Sequence, residues 1–316
     1  MDIALSLCWL FLAFPHMAET HLSDNFNECK NFFYKNEPPT GFQNIAEPLH
    51  IDDGFSNTRN KRPTSKAYIC QMYKNQTYFA TLYDQWRRIP LYSAYKLDKR
   101  SLPNLTRKQK NRPSTFNVEP QLVYRHLAGN MLPERQTEHS ITEYNRKKNI
   151  RGKKASDLLR MSQAVNADYK GSGYTRGHIN PNGHHVTQDS RKATFTLTNV
   201  APMTKELNNN IWNRYENEMI KIAKTCSSMY VVTGVVPSKS KWIGQKRVNI
   251  PSHVWSAYCC TGANERPIKS GGGIGANGNL KKPIELIQMP EFQNKLTKLL
   301  NIKRNIDIFH SGCKHE

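Results

Sequence analysis

Tyr174-Thr-Arg-Gly-His-Ile-Asn-Pro-Asn-Gly-His-His185 is the densest polar constellation in the chain. Leu207-Asn-Asn-Asn-Ile-Trp-Asn-Arg-Tyr-Glu216 follows shortly after it. Between them, residues 193–200 (ATFTLTNV) alternate and are rich in Thr and Val, so they read as a strand. From Thr204 to about Lys224, Leu207, Ile211, Trp212, Tyr215, Met219 and Ile222 recur at helical spacing. That pattern predicts an amphipathic helix with Trp212 and Tyr215 facing the core. Polar turn, strand and helix together form a core over about 170–225.

The residue types in this core suit phosphodiester chemistry. A general base must work near neutral pH, and histidine is the natural group. His178, flanked by Arg176 and Gly177, fits that role, and Gly177 allows a substrate close to the backbone. A hard divalent cation prefers oxygen ligands and keeps several waters, so one amide oxygen can anchor it. Asn208 stands where the helix begins, with Asn209 and Asn210 as neighbours that compete for the same role. Arginine clamps phosphate oxygens, often with two bonds at once. Arg176 and Arg112 are the candidates. His184 and His185 have no Cys or carboxylate nearby at zinc-ligand spacing, and Pro181-Asn-Gly183 reads as a turn.

Outward from the core, residues 67–73 and 78–83 are aromatic and β-branched runs joined by Lys74-Asn-Gln76, a hairpin signal. Residues 89–97 predict a further strand, 229–236 a buried one, and 247–252 and 254–258 two short ones. The Gly-rich stretch 270–279 reads as a flexible loop, and 290–302 as a C-terminal helix opened by Pro290 and Glu291. No internal repeat divides the chain. Residues 66–316 are expected to form one domain, preceded by a loosely structured lead-in over 19–65 that Cys29 ties down.

Residues 3–14 (IALSLCWLFLAF) are too short for a confident membrane span and have the profile of an export signal ending near Ala18. A hydrophobic N-terminal strand or anchor is the other reading. Without Cys8, six cysteines remain, an even number that suits an exported, disulfide-bonded chain. Adjacent Cys259 and Cys260 are expected to take different partners. Asn75-Gln-Thr77 and Asn104-Leu-Thr106 are potential glycan acceptors in a secreted chain.

The chain has 316 residues, with 46 Lys and Arg against 25 Asp and Glu, a formal charge of +21. Mean hydropathy is −0.71, which excludes a multi-span membrane protein. Its 5 Trp, 12 Phe and 14 Tyr argue against a wholly disordered chain. The charge attracts polyanions, and two basic runs, 98–113 and 146–154, extend the attraction to a polyphosphate track.

Arg176-Gly-His178, Asn180-Pro181, Thr198-Asn-Val-Ala-Pro202 and Asn208-x-x-x-Trp212-x-x-x-Glu216 occur in an order and spacing that resembles the DNA/RNA non-specific endonucleases. The resemblance covers roughly 60–265. It implies an α+β fold with a mixed or antiparallel sheet and a ββα-metal (His-Me finger) core. It implies that His178 is the general base and that Arg176 is the arginine of the family's D-R-G-H. Asn208 would be the single direct protein ligand of Mg²⁺, with Mn²⁺ as a substitute. Glu216 would support the hydrated ion. Eight helical residues rise about 12 Å, so Glu216 belongs to an outer shell. Arg112 would contact phosphate upstream. DNA and RNA would be cut through backbone contacts to 5′-phosphorylated products. Two positions depart from the pattern: Thr175 replaces the Asp of D-R-G-H, and Met203 replaces the Gln after the Pro of TNxxP. A catalytically weak or idle polyanion-binding protein on the same fold is the rival expectation, and a nuclease fold serving a protein partner is a third.

Overall fold

The computed structural model describes residues 22–42, 45, 66–101, 113, 115–278 and 283–314. The export segment at 3–14, Arg112 and the sequon at Asn104 lie outside the described residues.

A seven-stranded sheet runs through the centre. Its strands in spatial order are β1 (Leu22–Ser23), β2 (Lys66–Tyr73), β3 (Gln76–Asp84), β4 (Ile89–Lys96), β7 (Ser228–Val236), β10 (His253–Thr261) and β11 (Pro267–Ala276). Every neighbouring pair is antiparallel. Successive side chains on a strand point to opposite faces, and both faces are covered here. Phe79, Tyr95 and Val231 enter one core cluster, while Ala80, Ala94 and Val232 enter the other. This double burial explains why 229–236 is a continuous apolar run.

The first face carries the helices α1 (Glu134–Lys147), α2 (Ala155–Ser162), α3 (Asn166–Tyr169), α4 (Gln188–Ala193) and α5 (Trp212–Ala223). It also carries a two-stranded hairpin, β5 (Thr175–His178) with β6 (Val200–Met203). Trp212 and Tyr215 are buried as their spacing predicted. A small ribbon, β8 (Trp242–Ile243) with β9 (Val248–Asn249), lies outside the main sheet. The second face carries α6 (Met289–Leu300), which buries Met289, Phe292, Leu296 and Leu300 on one stripe. The fold is α+β, with an antiparallel sheet and a β-β-α unit made by β5, β6 and α5. Among the described residues no helix is long and apolar enough to cross a membrane.

Three expectations are corrected. The described part of the lead-in, 22–42, is packed rather than loose. Phe26, Phe33, Tyr34 and Phe42 are buried in the second core, and β1 pairs with β2. The Gly-rich stretch is β11, an edge strand. Its glycines are required by packing: a Cβ on Gly272 would collide with the Phe292 ring, and one on Gly273 with the Tyr215 ring. Residues 193–200 are not one strand. α4 ends at Ala193, a short turn covers Leu197–Asn199, and only Val200 begins β6.

The described cysteines pair as Cys29–Cys70, Cys226–Cys260 and Cys259–Cys313. Cys259 and Cys260 take different partners because neighbours on a strand face opposite layers.

Candidate active site

On β5, Arg176 and His178 are two residues apart and so share one face. Phe116 lies against both. Its ring centroid is 5.4 Å from that of His178, and the Arg176 guanidinium sits 5.1 Å from the same ring. Phe195 packs edge-on to His178 at 5.0 Å. The imidazole thus packs in a cluster with two aromatic rings, themselves 5.2 Å apart, and is only 5% exposed. Arg176 also lies over Tyr169 and donates to the Asn166 carbonyl at 3.4 Å. Burial draws its pKa below the ordinary arginine value, opposed by Tyr169 and Glu134. Asn166 holds Phe116 in turn: its side chain accepts from the Phe116 N–H and donates to the Phe116 carbonyl, both at 2.9 Å.

Asn199 fixes the loop that leaves His178. Its Oδ1 accepts from the Asn180 N–H at 2.9 Å and from the Ser93 hydroxyl at 3.0 Å. Its Nδ2 donates to the carbonyls of Asn180 and Thr194, both at 3.0 Å. These side-chain bonds replace a strand ladder, which is why 194–199 is irregular. Thr196 and Thr198 donate to buried Glu119 at 2.9 and 3.1 Å. Phe116, Phe195 and Asn199 are site residues that the reading of single motifs does not single out; Asn199 sits within the quoted Thr198–Pro202 stretch.

His184 and His185 act apart from each other. His184 Nε2 donates to the Glu216 carbonyl at 3.0 Å, and the Tyr95 hydroxyl donates to its Nδ1 at 2.9 Å. His185 Nε2 donates to Asn180 Oδ1 at 2.8 Å. Burial pushes the two imidazoles down to about 4 and about 3. They are neutral struts that tie the turn after β5 to β4, α5 and Asn180.

The two departures from the family pattern face each other. Thr175 and Met203 are directly paired across β5 and β6, and the Thr175 hydroxyl donates to the Met203 carbonyl at 2.9 Å. The Met203 side chain fills the space beside Gly177, where a Cβ would collide with it.

The helix after β6 begins with a π turn over Leu207–Ile211, closed by the Trp212 N–H on the Leu207 carbonyl. Asn208 lies inside this turn and Glu216 within α5. On a regular helix, positions eight apart do not superpose. The inserted residue makes that step count as about seven, two turns, and draws Asn208 and Glu216 toward one face. Asn208 is half-buried, and its side-chain amide makes no hydrogen bond among the described residues. Asn209 and Asn210 are exposed, and Asn210 is committed to Glu206 at 2.9 Å. Burial raises the Tyr95 hydroxyl well above its usual pKa, opposed by a hydrogen bond with Thr233 and reinforced by the Glu216 charge.

A profile of DNA/RNA non-specific endonucleases matches residues 56–312. This chain belongs to that family. Mouse endonuclease domain-containing 1 protein is 32% identical over 240 residues, covering 74% of this chain and 39% of that protein. The human protein of the same name is 31% identical over 239 residues. Bovine mitochondrial endonuclease G is 37% identical over 103 residues, 29% of this chain and 34% of that protein. The chain therefore spans about two fifths of the length of the first two relatives. A solved EndoG/EndoGI complex aligns with TM-score 0.47 and 19% identity over 72% of this chain and 83% of the other.

For the endonuclease family's metal, the residues present fit a hydrated hard ion. An uncommitted amide oxygen at Asn208 and a carboxylate at Glu216 on the same side of one helix are oxygen donors suited to Mg²⁺.

Proposed function

We propose that this chain is a secreted, Mg²⁺-dependent endonuclease that hydrolyses phosphodiester bonds of DNA and RNA. The observation that carries the reading is the shared seat of His178 and Arg176 against Phe116, on the strand hairpin that leads into the Asn208–Glu216 helix. His178 takes a proton from the attacking water at its imidazole, and its ring cage fixes the direction of attack. Arg176, stacked on Phe116 and Tyr169, presents its guanidinium edge to a phosphate oxygen. Asn208 would hold the ion directly and Glu216 through its water. The bound ion would neutralise charge on the phosphate and stabilise the leaving oxygen. Contacts to phosphate position the substrate without reading bases, so cutting has little sequence preference. Arg112 is proposed as an upstream phosphate contact. Three disulfides support the secreted reading, as does the exposed sequon Asn75 at the β2–β3 turn.

The test is supercoiled plasmid incubated with protein from a secretory host, with Mg²⁺, with EDTA, and beside His178→Ala. The expected result is nicking that needs Mg²⁺, is also supported by Mn²⁺, and falls by about 10²–10⁴ in the variant. One observation favours a second reading, a nucleic-acid binder without catalysis: the Thr175–Met203 pair stands where the family carries Asp and Gln. Plasmid that is retarded on a gel but never cut would establish that reading instead.

A further inference from the structure

α1 packs against α2 to form a helical hairpin with a base and a tip of opposite character. At the base, Glu134 accepts from the Asn166 backbone and side-chain N–H groups, and the Asn166 carbonyl receives Arg176. The base is therefore bonded into the candidate active site. At the tip, Arg146, Lys147, Lys148, Arg151, Lys153 and Lys154 are all exposed. No Asp or Glu occurs between Glu143 and Asp157. Arg146 pairs with Glu143 at 3.0 Å, and none of the other five forms an ion pair among the described residues.

The tip is held in place. The Lys148 and Asn149 N–H groups close α1 on the Tyr144 and Arg146 carbonyls, and the Ile150 N–H bonds to Asn145 at 2.9 Å. The Asp157 and Leu158 N–H groups return to the Lys154 carbonyl. Like charges held this close repel one another in the free protein, and a polyanion relieves that repulsion. α1 has 14 residues, which at helical rise places the tip about 21 Å from the base. One strand of a duplex carries a phosphate about every 3.4 Å, so this reach is about six base pairs. A stiff duplex spans such a gap without collapsing, which favours it over a short or flexible strand.

We infer that the α1–α2 tip is an exosite for the phosphate backbone of duplex nucleic acid, gripping the substrate about six base pairs from the bond that is cut. This inference rests on the nuclease reading of the His178 site. Ile150, 44% exposed at the same tip, is a lone apolar residue and too little to embed the tip in a bilayer.

The variant Arg151→Gln/Lys153→Gln/Lys154→Gln leaves the core untouched. Binding to a 30-base-pair duplex is measured in EDTA against salt concentration, so no catalysis is needed. Losing three phosphate contacts should lower the slope of log K against log salt by about three and weaken binding at least tenfold. In Mg²⁺, the variant should cut long duplex more slowly and a four-base-pair hairpin at the wild-type rate, because the hairpin is too short to reach the tip. Unchanged duplex affinity and salt slope would overturn the exosite. So would a loss confined to anionic vesicles of phosphatidylserine and phosphatidylcholine. A wild-type protein that cuts nothing, beside a variant that still loses duplex binding, would overturn the catalytic reading and leave the exosite standing.

Discussion

Asn199 accepts from Ser93 and the Asn180 N–H and donates to two carbonyls, with its side chain fully buried. Truncating it leaves buried donors and acceptors unmet, at about 1–3 kcal/mol for each group that water cannot reach. Asn199→Ala should therefore lower the melting temperature by several degrees and reduce kcat, because the loop after His178 loses its anchor. Asn210→Ala, which removes one exposed bond to Glu206, should change neither; equal melting temperatures for the two variants would discount the anchor. Thr175 and Met203 make a second residue-level case. Because they are cross-strand partners, their effects should not add. Thr175→Asp alone sets a carboxylate beside the Met203 carbonyl and should destabilise the hairpin. Adding Met203→Gln supplies an N–H donor and should recover part of the loss. A double-mutant cycle with no coupling would show that the two departures are independent. His178 and Arg176 stand out as candidates from their neighbours in sequence; their common seat on Phe116 does not, since Phe116 is about 60 residues upstream of both and proximity across that gap is a tertiary fact.

The helix that follows β6 shows what an element adds to its residues. Periodicity places an amphipathic helix from Thr204 onward, and the helix is there. Periodicity does not reveal the π turn at Leu207–Ile211, because the apolar spacing drifts by only one residue. That one residue decides whether Asn208 and Glu216 share a face. Deleting Asn209 should restore regular winding and leave Asn208 seven regular positions, about two turns, before Glu216, still on one face. The expected outcome is unchanged helical circular dichroism with Mg²⁺-dependent cleavage retained, whereas Asn208→Ala should lose cleavage at ordinary Mg²⁺ and recover only part of it at high Mg²⁺. Full activity in Asn208→Ala would remove Asn208 from the site. β11 teaches the opposite lesson. Its glycine run resembles a loop by composition, yet Phe292 and Tyr215 lie so close that no side chain fits. Glycine here answers close packing rather than a need for turn geometry.

At the scale of the whole molecule, His184 and His185 link acidity to stability. Both are buried and neutral, with pKa values pushed down to about 4 and about 3. The unfolded chain takes up their protons below about pH 6.5 and the folded chain does not. Their contribution is complete above that pH and is lost as pH falls through 4 and then 3. Each pH unit in this window costs about 1.4 kcal/mol per histidine. Melting temperature should fall steeply between pH 6.5 and pH 4 and less steeply in His185→Gln. The same slope in both proteins would assign the acid loss to other groups.

Several properties of this protein were set by its sequence alone. The charge of +21, the even set of six cysteines beyond Cys8, and the ordered motifs from Arg176 to Glu216 are all local or countable. They identify a basic, disulfide-bonded chain of nuclease fold and single out His178 and Asn208 as candidates for its centre. The hairpin of β2 and β3, the buried β7 and the amphipathic α6 were legible because each writes its signal, an apolar run or a period, into consecutive residues. Tertiary structure decided what depends on distant segments meeting. It placed Phe116 against both His178 and Arg176, and Asn199 under the loop. It set the phase between Asn208 and Glu216, and it carried the cationic tip of α1 and α2 away from Arg176. Such contacts depend on how the sheet stacks its layers, and no stretch of chain short enough to show a period contains both partners.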